Sequence, residues 1–451
     1  MKNEPTFQTR REFLRSTVLG GALTWTVPAF LANTFAALHA EAADKATQVA
    51  TGKDSTILVI LQMAGGNDGL NTVIPHGNDY YYRARPKIGI AAKYVLKLND
   101  SVGLHPGLTG FKELYDSGHL AVIQGIGYPN PNRSHFRSTE IWQTAADSNK
   151  IERYGWLGRY FDNACSGCDP TIAVSIGRQM PQAFAAKFPK GVSLDNPQNY
   201  RFIAGNRPGD MTSTEESYRK LNDMHPPASD SITAGDGSTE NSGGTIAAIS
   251  GPTLRTGSPL DFLERTALDA QVSSDEIRAI TSRTENMATY PASQLANSLK
   301  LVAKLIGGGL PTRIFYVSQG GYDTHTNQPG TQARLLKELG DSVKSFYDDM
   351  KAQGHSQRVL LLTFSEFGRR VSENANNGTD HGAAAPMFVL GEKVKAGLLG
   401  QYPSLAPADL FEGDLKYNVD FRSVYAAVLE NWLKTRSEPV LGRKFTPLQI
   451  V

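Results

Sequence analysis

Cysteine is nearly absent, net charge is close to zero, and no long apolar run follows the N-terminal segment. Cys165 and Cys168 are the only two cysteines, so no disulfide framework carries this fold. Lysine and arginine total 46 against 44 aspartate and glutamate, a net charge of +2. The first 42 residues hold four basic and three acidic residues, which leaves +1 for the remainder. That balance gives no electrostatic footprint for nucleic acid or an anionic membrane. Nothing beyond the N-terminal segment is apolar enough for long enough to span a bilayer, so no stable membrane span is expected. No internal repeat is present. The cysteines stand in Cys165-Ser166-Gly167-Cys168, after a helix-like stretch and before Asp169-Pro170. A redox pair is expected between a strand and a helix start. A local structural disulfide is therefore expected first, redox catalysis second and a two-cysteine zinc site last.

The N-terminus carries an address. Thr9-Arg10-Arg11-Glu12-Phe13-Leu14-Arg15 reads as a twin-arginine export motif, followed by a mildly apolar stretch from Ser16 to about Phe35. Ala40-Glu41-Ala42 offers a cleavage site, which puts the mature start near Ala43. Residues 1–42 are thus expected to be a signal peptide read by the twin-arginine export machinery, delivering a folded protein to the periplasm. The remaining residues, 43–451, are expected to form one α/β domain, a size such folds often reach as a single unit. Residues 226–258, rich in Ser, Gly, Thr and Pro, read as a flexible surface insertion.

What is abundant is short apolar runs that stop in chemistry. Thr56-Ile57-Leu58-Val59-Ile60-Leu61 runs into Gly65-Gly66-Asn67-Asp68-Gly69. Arg313-Ile314-Phe315-Tyr316-Val317 runs into Gly320-Gly321-Tyr322-Asp323-Thr324-His325. Val359-Leu360-Leu361-Leu362-Thr363-Phe364 runs into Ser365-Glu366-Phe367-Gly368-Arg369, with Thr379-Asp380-His381-Gly382 soon after. Such runs predict strands buried on both faces, as in a parallel sheet. Further strands are expected at 120–124, 172–176 and 386–390. Helices are expected from about Ser134 and over 259–284, 291–306, 330–353 and 420–434. The alternation predicts a doubly wound, mostly parallel sheet with helices on both faces.

Ligands and catalysts in such sheets gather beyond the carboxyl ends of the strands. Asp323 and His325 lie two apart on a glycine-loosened loop, so both can aim at one ion. Glu366, Asp380 and His381 would add ligands from the neighbouring strand end, and Asp68 sits among glycines that permit close backbone approach. Imidazole and carboxylate suit zinc, manganese or iron, as one or two divalent ions. Taken alone, Asp68 reads as a turn residue and Asp-x-His as a weak signal; the coincidence at several strand ends carries the metal reading. Ser134, after a strand and at a helix start, reads either as a nucleophile or as a helix cap. Arg133, Arg137 and Arg369 are candidates to hold a phosphate or sulfate. His135 reads first as a packed core histidine, with ligand or base as alternatives. His105 is placed at the cleft, and His119, His225 and His355 at the surface.

Several segments together resemble a known family. Residues 61–75 (Leu-Gln-Met-Ala-Gly-Gly-Asn-Asp-Gly-Leu-Asn-Thr-Val-Ile-Pro) are similar to the opening motif of the family catalogued as domain of unknown function 1501. Residues 127–138, 320–328, 364–369 and 379–382 resemble its other motifs. That family in turn resembles the alkaline phosphatase and sulfatase superfamily. The resemblance implies an alkaline-phosphatase-like α/β hydrolase fold, with two metal ions and a Ser or Thr nucleophile acting on phosphate or sulfate esters. It implies Asp323, His325 and His381 at one metal, and Asp68, Ser134 and Glu366 around a second. The chain departs from the superfamily pattern in having Gln62 at the first strand end, Asp-x-His in the second cluster, and Ser365-Glu366 where Asp-His is usual.

The expected function is an exported metal-dependent hydrolase of a small-molecule or glycan ester of phosphate or sulfate. The alternative is a non-catalytic periplasmic binding or assembly protein on the same scaffold, and a third reading is a transferase acting on an envelope glycan.

Overall fold

The computed structural model describes residues 55–187 (except 166, 167 and 169), 191–197 and 273–451. The expected signal peptide and the 226–258 insertion lie outside these residues.

The core is one large sheet. Its strands are β1 (Ile57–Met63), β5 (Leu120–Gly127), β6 (Ala173–Ile176), β7 (Val192–Leu194), β8 (Ile314–Gln319), β9 (Val359–Phe364), β10 (Ala385–Leu390), β11 (Gly397–Leu399) and β12 (Val419–Asp420). Between β1 and β5 in sequence, β2 (Val73–Ile74), β3 (Leu96–Lys97) and β4 (Gly103–Leu104) form a small second sheet. The order of the large sheet is β11-β5-β10-β9-β1-β8-β6-β7, with β12 also pairing with β5. β1 sits at the centre, parallel to β9 on one side and β8 on the other. β6 and β7 extend the parallel array beyond β8.

The sheet is mixed because β10 runs antiparallel to both β5 and β9. An apolar run carries no direction, and this reversal leaves β5 and β9 pointing the same way. The carboxyl ends of β5, β9, β1 and β8 therefore open on one edge of the sheet.

β1, β5 and β9 are buried along their whole length. Alternation sends their side chains to two cores. Leu58 and Ile60 join helices α2 (His135–Thr144), α3 (Trp156–Ala164) and α6 (Phe421–Ala427) on one face. Ile57, Val59 and Leu61 join α1 (Thr109–Asp116), α4 (Gln294–Gly307) and α5 (Gln328–Ala352) on the other. Helices on both faces make the fold a doubly wound α/β sheet, in agreement with the alternation in the sequence.

Of the helix expected over 259–284, residues 259–272 lie outside the described residues and 273–283 are helical. Two sequence expectations need adjustment. The closing helix is not uniform: α6 gives way to a π-helical turn over Val428–Trp432. His105 is buried rather than lining a cleft, with Nδ1 accepting the Gly107 N–H at 2.9 Å. Burial holds its imidazole down at about 4, so it stays neutral. Cys165 and Cys168 are joined as a local disulfide, their Cα atoms 5.3 Å apart. No helix among the described residues is long and apolar enough to cross a membrane.

Candidate metal centre

The loops after β1 and β8 are laced together through their backbones. Ala64 N donates to Gln319 O at 2.8 Å and Tyr322 N donates to Ala64 O at 3.2 Å. This close approach explains the glycines. Gly65 has a φ of +119° and a Cβ there would fall 2.5 Å from the Asp323 nitrogen. Gly66 has a φ of +74° and a Cβ there would enter the Phe367 ring. Neither position accepts a side chain without displacing the loops that carry Asp323 and Phe367.

On this frame four side chains converge: His135 from the start of α2, Asp323 and His325 from the β8 loop, and His381 beyond the β9 loop. His325 Nε2 lies 2.9 Å from His381 Nε2 and 3.1 Å from Asp323 Oδ1. His381 Nε2 lies 3.2 Å from the same oxygen, and His135 Nε2 lies 3.5 Å from Asp323 Oδ2. One ligand atom each from His135, Asp323 and His381 falls within 4.8 Å of the others. The Phe367 ring backs the group, its centroid 4.9 Å from His135 and 4.5 Å from His381.

The other ring nitrogens explain the arrangement. His381 Nδ1 is 2.7 Å from the Arg133 carbonyl, which can only accept, so Nδ1 carries the proton. His135 Nδ1 is 2.9 Å from Glu366 Oε1, and His325 Nδ1 is 3.2 Å from Asp380 Oδ1. Each imidazole thus donates outward from Nδ1 and turns Nε2 inward, bare in the neutral form. That is the outer-shell pattern which orients metal-binding histidines.

Electrostatics agree with the pattern. Burial opposes ionisation of Asp323, but the Arg369 guanidinium, helped by His381 and His325, brings its carboxyl down to about 2. Burial also lowers His381, the bond to the Arg133 carbonyl only partly opposing it, which favours the neutral ring. The Asp380 carboxyl is lowered by the Asn374 amide and by His325.

The donor set fits a divalent ion. Two bare nitrogens 2.9 Å apart, facing a carboxylate, are unfavourable unless a proton or a cation lies among them. Tetrahedral zinc with ligands near 2.0–2.1 Å sets neighbouring ligand atoms about 3.3 Å apart. The contacts among His325 Nε2, His381 Nε2 and Asp323 Oδ1, at 2.9, 3.1 and 3.2 Å, lie just below that spacing, and His135 Nε2 stands 3.5 Å from the other carboxylate oxygen, Oδ2.

The residues expected from the sequence divide into three groups. Asp323, His325 and His381 come together. Glu366 and Asp380 stand behind the imidazoles as hydrogen-bond acceptors rather than among the converging atoms. Glu366 is buried and also accepts the Gly65 N–H at 2.8 Å. Asp68 is elsewhere: its buried carboxylate pairs with Arg85 at 2.6 Å, accepts from the Gln328 amide, and caps a short helix through Leu70 N.

The arginines do not form an open anion clamp. Arg369 is buried and donates to the carbonyls of Gly65, Gly66, Tyr322 and Thr379 and to Asp323 at 2.6 Å. Arg137 turns to Glu140 at 2.7 Å and to the carbonyls of Asp147, Ser148 and Lys150. Arg133 binds Asp414 and Glu412. Gln62 is held by the Tyr316 hydroxyl at 2.6 Å. Ser134 occupies the N-cap position of α2 but its side chain makes no capping bond, and the residue is exposed. It lies between Arg133, whose carbonyl holds His381, and His135.

His135, which the sequence places first in the core with ligand or base as alternatives, belongs to the site. It is not packed in the core: its side chain is about a third exposed, at 34%. The available signal was its position immediately after Ser134, at a helix start beyond a strand end.

Solved structures with similar chain traces include a protein in the alkaline phosphatase superfamily from Vibrio parahaemolyticus, at 9% identity and a TM-score of 0.35, covering 95% of this chain and 80% of that one. A sulfatase from Pseudoalteromonas sp. is 11% identical at a TM-score of 0.30, covering 78% and 65%. A phosphonate monoester hydrolase from Silicibacter pomeroyi is 10% identical at a TM-score of 0.30, covering 88% and 78%. No curated protein sequence matches the chain significantly. Residues 55–440 match the family described as protein of unknown function DUF1501, and the chain belongs to that family.

Proposed function

We propose that His135, Asp323, His325 and His381 hold a divalent metal ion, and that the protein uses it to hydrolyse a phosphate or sulfate ester. The observation that carries this reading is the shared orientation of three imidazoles, each tied outward through Nδ1 and each turning Nε2 toward Asp323. Zinc, manganese and iron all accept such a donor set. When bound, the ion supplies Lewis acidity and lowers the pKa of a hydroxyl or water beside it. Ser134 is the candidate nucleophile because its exposed hydroxyl is not used as a cap and its neighbours on both sides reach the centre. The phosphoryl or sulfuryl group passes from the ester oxygen to Ser134 Oγ and then to water, releasing the alcohol and the inorganic anion. Asp323 keeps its negative charge throughout, held by Arg369. In this reading the protein acts in the periplasm after twin-arginine export, on a small-molecule or glycan ester.

The test is elemental analysis of the folded protein purified without chelator, beside Asp323→Ala and His381→Ala. The expected result is roughly one equivalent of metal, lost in both variants together with hydrolysis of aryl phosphate or aryl sulfate esters. No metal after supplementation, with both variants folded, would overturn the reading. One observation favours the non-catalytic alternative: Arg133, Arg137 and Arg369 are all engaged with protein acceptors. Metal binding without turnover across both ester classes would select it.

A further inference from the structure

Asp414 lies far from the centre in sequence, and its side chain is completely buried. Its Oδ2 accepts from Arg133 Nε at 2.8 Å and from Nη2 at 2.6 Å. Arg133 is the residue whose carbonyl holds His381 Nδ1 at 2.7 Å. Asp414 Oδ1 has no hydrogen-bond partner and faces Arg370 Nε at 4.0 Å. Arg370 is itself stitched to the His381 segment, its N–H donating to the Asp380 carbonyl at 3.0 Å, and its Nη1 holds the Glu412 carbonyl at 2.7 Å. The 411–414 loop therefore grips the segments on both sides of His381.

We propose that Asp414 is a positioning residue, which through Arg133 holds the carbonyl that keeps His381 in its Nδ1–H form with Nε2 bare. The competing tautomer carries its proton on Nε2, where Asp323 Oδ1 at 3.2 Å is ready to accept it. Without an ion that alternative is attractive, since it gives the proton a charged acceptor. A firmly placed carbonyl at Nδ1 is what opposes it. A buried carboxylate joined to an arginine through two donors places that carbonyl more firmly than a solvated contact can. Glu412 also touches Arg133, at 3.3 Å, but its side chain is 64% exposed, so it contributes little to the placement.

Tautomer is read directly from imidazole ring-nitrogen shifts in histidine-labelled protein, at a mildly alkaline pH where the ring is neutral. The His381 signals are assigned by their loss in His381→Gln. In the wild type without added metal, His381 is expected as the Nδ1–H form. In Asp414→Asn, which keeps the shape and removes the charge, a substantial Nε2–H population is expected, and more in Asp414→Ala. Glu412→Ala should leave the spectrum unchanged. An unaltered His381 tautomer in folded Asp414→Asn would overturn the proposal, as would an equal effect of Glu412→Ala.

A second readout rests on the metal reading. Zinc affinity in Asp414→Asn should fall about tenfold, the low end of losses from outer-shell changes. The tautomer measurement needs no metal, so failure of the metal centre and failure of this assignment are separable.

Discussion

His135 Nδ1 and Glu366 Oε1 meet at 2.9 Å, joining an imidazole that is about a third exposed to a carboxylate that is 3% exposed. Glu366 also receives the Gly65 N–H, so one oxygen ties the β9 loop, the β1 loop and the start of α2 together. A buried charge with two donors fixes the ring more strictly than a solvated acceptor would. Glu366→Gln keeps the shape and loses the charge. Metal affinity is expected to fall about 10- to 100-fold, with secondary structure unchanged. Competition with a chromophoric chelator measures it, and an affinity equal to wild type would remove Glu366 from the centre.

Asp323 gives a pH prediction with a definite sign. Its folded-state pKa, about 2, lies below the ordinary aspartate value of about 3.9. The associated stability is therefore present above about pH 4 and is lost as pH falls toward 2. In metal-free protein, Asp323→Asn should be less stable than wild type at neutral pH, and the gap should close on acidification. Because the Asp323 side chain is 47% exposed, screening keeps the gap modest. Urea unfolding of both proteins across that range decides it: a gap that stays constant would mean that the Arg369 contact contributes nothing through charge.

The Asp68–Arg85 pair tests structure against ligation. Arg85 donates to Asp68 and Asn71 and to the carbonyls of Val371 and Arg370, all within the core. Removing the carboxylate leaves a buried guanidinium unpaired, which costs about 3–5 kcal/mol. Asp68→Ala should show that loss in chemical unfolding. The isosteric Asp68→Asn, if folded, should bind as much metal as wild type. A metal content that falls in folded Asp68→Asn would return Asp68 to the centre.

These residues also mark where the sequence stopped being informative. The β1, β8 and β9 runs were legible because full burial demands continuous apolar side chains, and their glycine-rich ends were legible because close loop crossings demand glycine. The direction of β10 was not, since Pro386-Met387-Phe388-Val389-Leu390 reads the same either way. Asp68 and Asp323 follow similar glycine loops and look alike as text. What separates them is a partner: Arg85, in the polar stretch Tyr80-Tyr81-Tyr82-Arg83-Ala84-Arg85, folds back on Asp68, while Arg369 reaches Asp323. Residue type named the chemistry of Arg137 and Arg369 but not the carbonyls that absorb it. His135 reads first as a core residue, ahead of ligand or base, because a lone histidine gives no sign of which neighbours its two nitrogens find.

Ser134 separates capping from catalysis in one substitution. A serine that caps through its side chain stabilises its helix by about 1 kcal/mol, and Ser134→Ala would lose that amount. No such bond exists here: the local hydrogen bonds of this residue run through its backbone, its N–H donating to Asn132 Oδ1 at 2.8 Å and its carbonyl accepting from Ser138 N at 2.9 Å. Alanine preserves both, so the stability change should stay within about 0.5 kcal/mol. The hydroxyl is then free for chemistry, and loss of a nucleophile removes the covalent route altogether. Turnover of whichever ester class the wild type accepts should drop by at least about 100-fold, with metal content unchanged. Retained turnover in Ser134→Ala would transfer the attack to water and leave the metal centre intact, while a stability loss near 1 kcal/mol with turnover preserved would make Ser134 a cap after all.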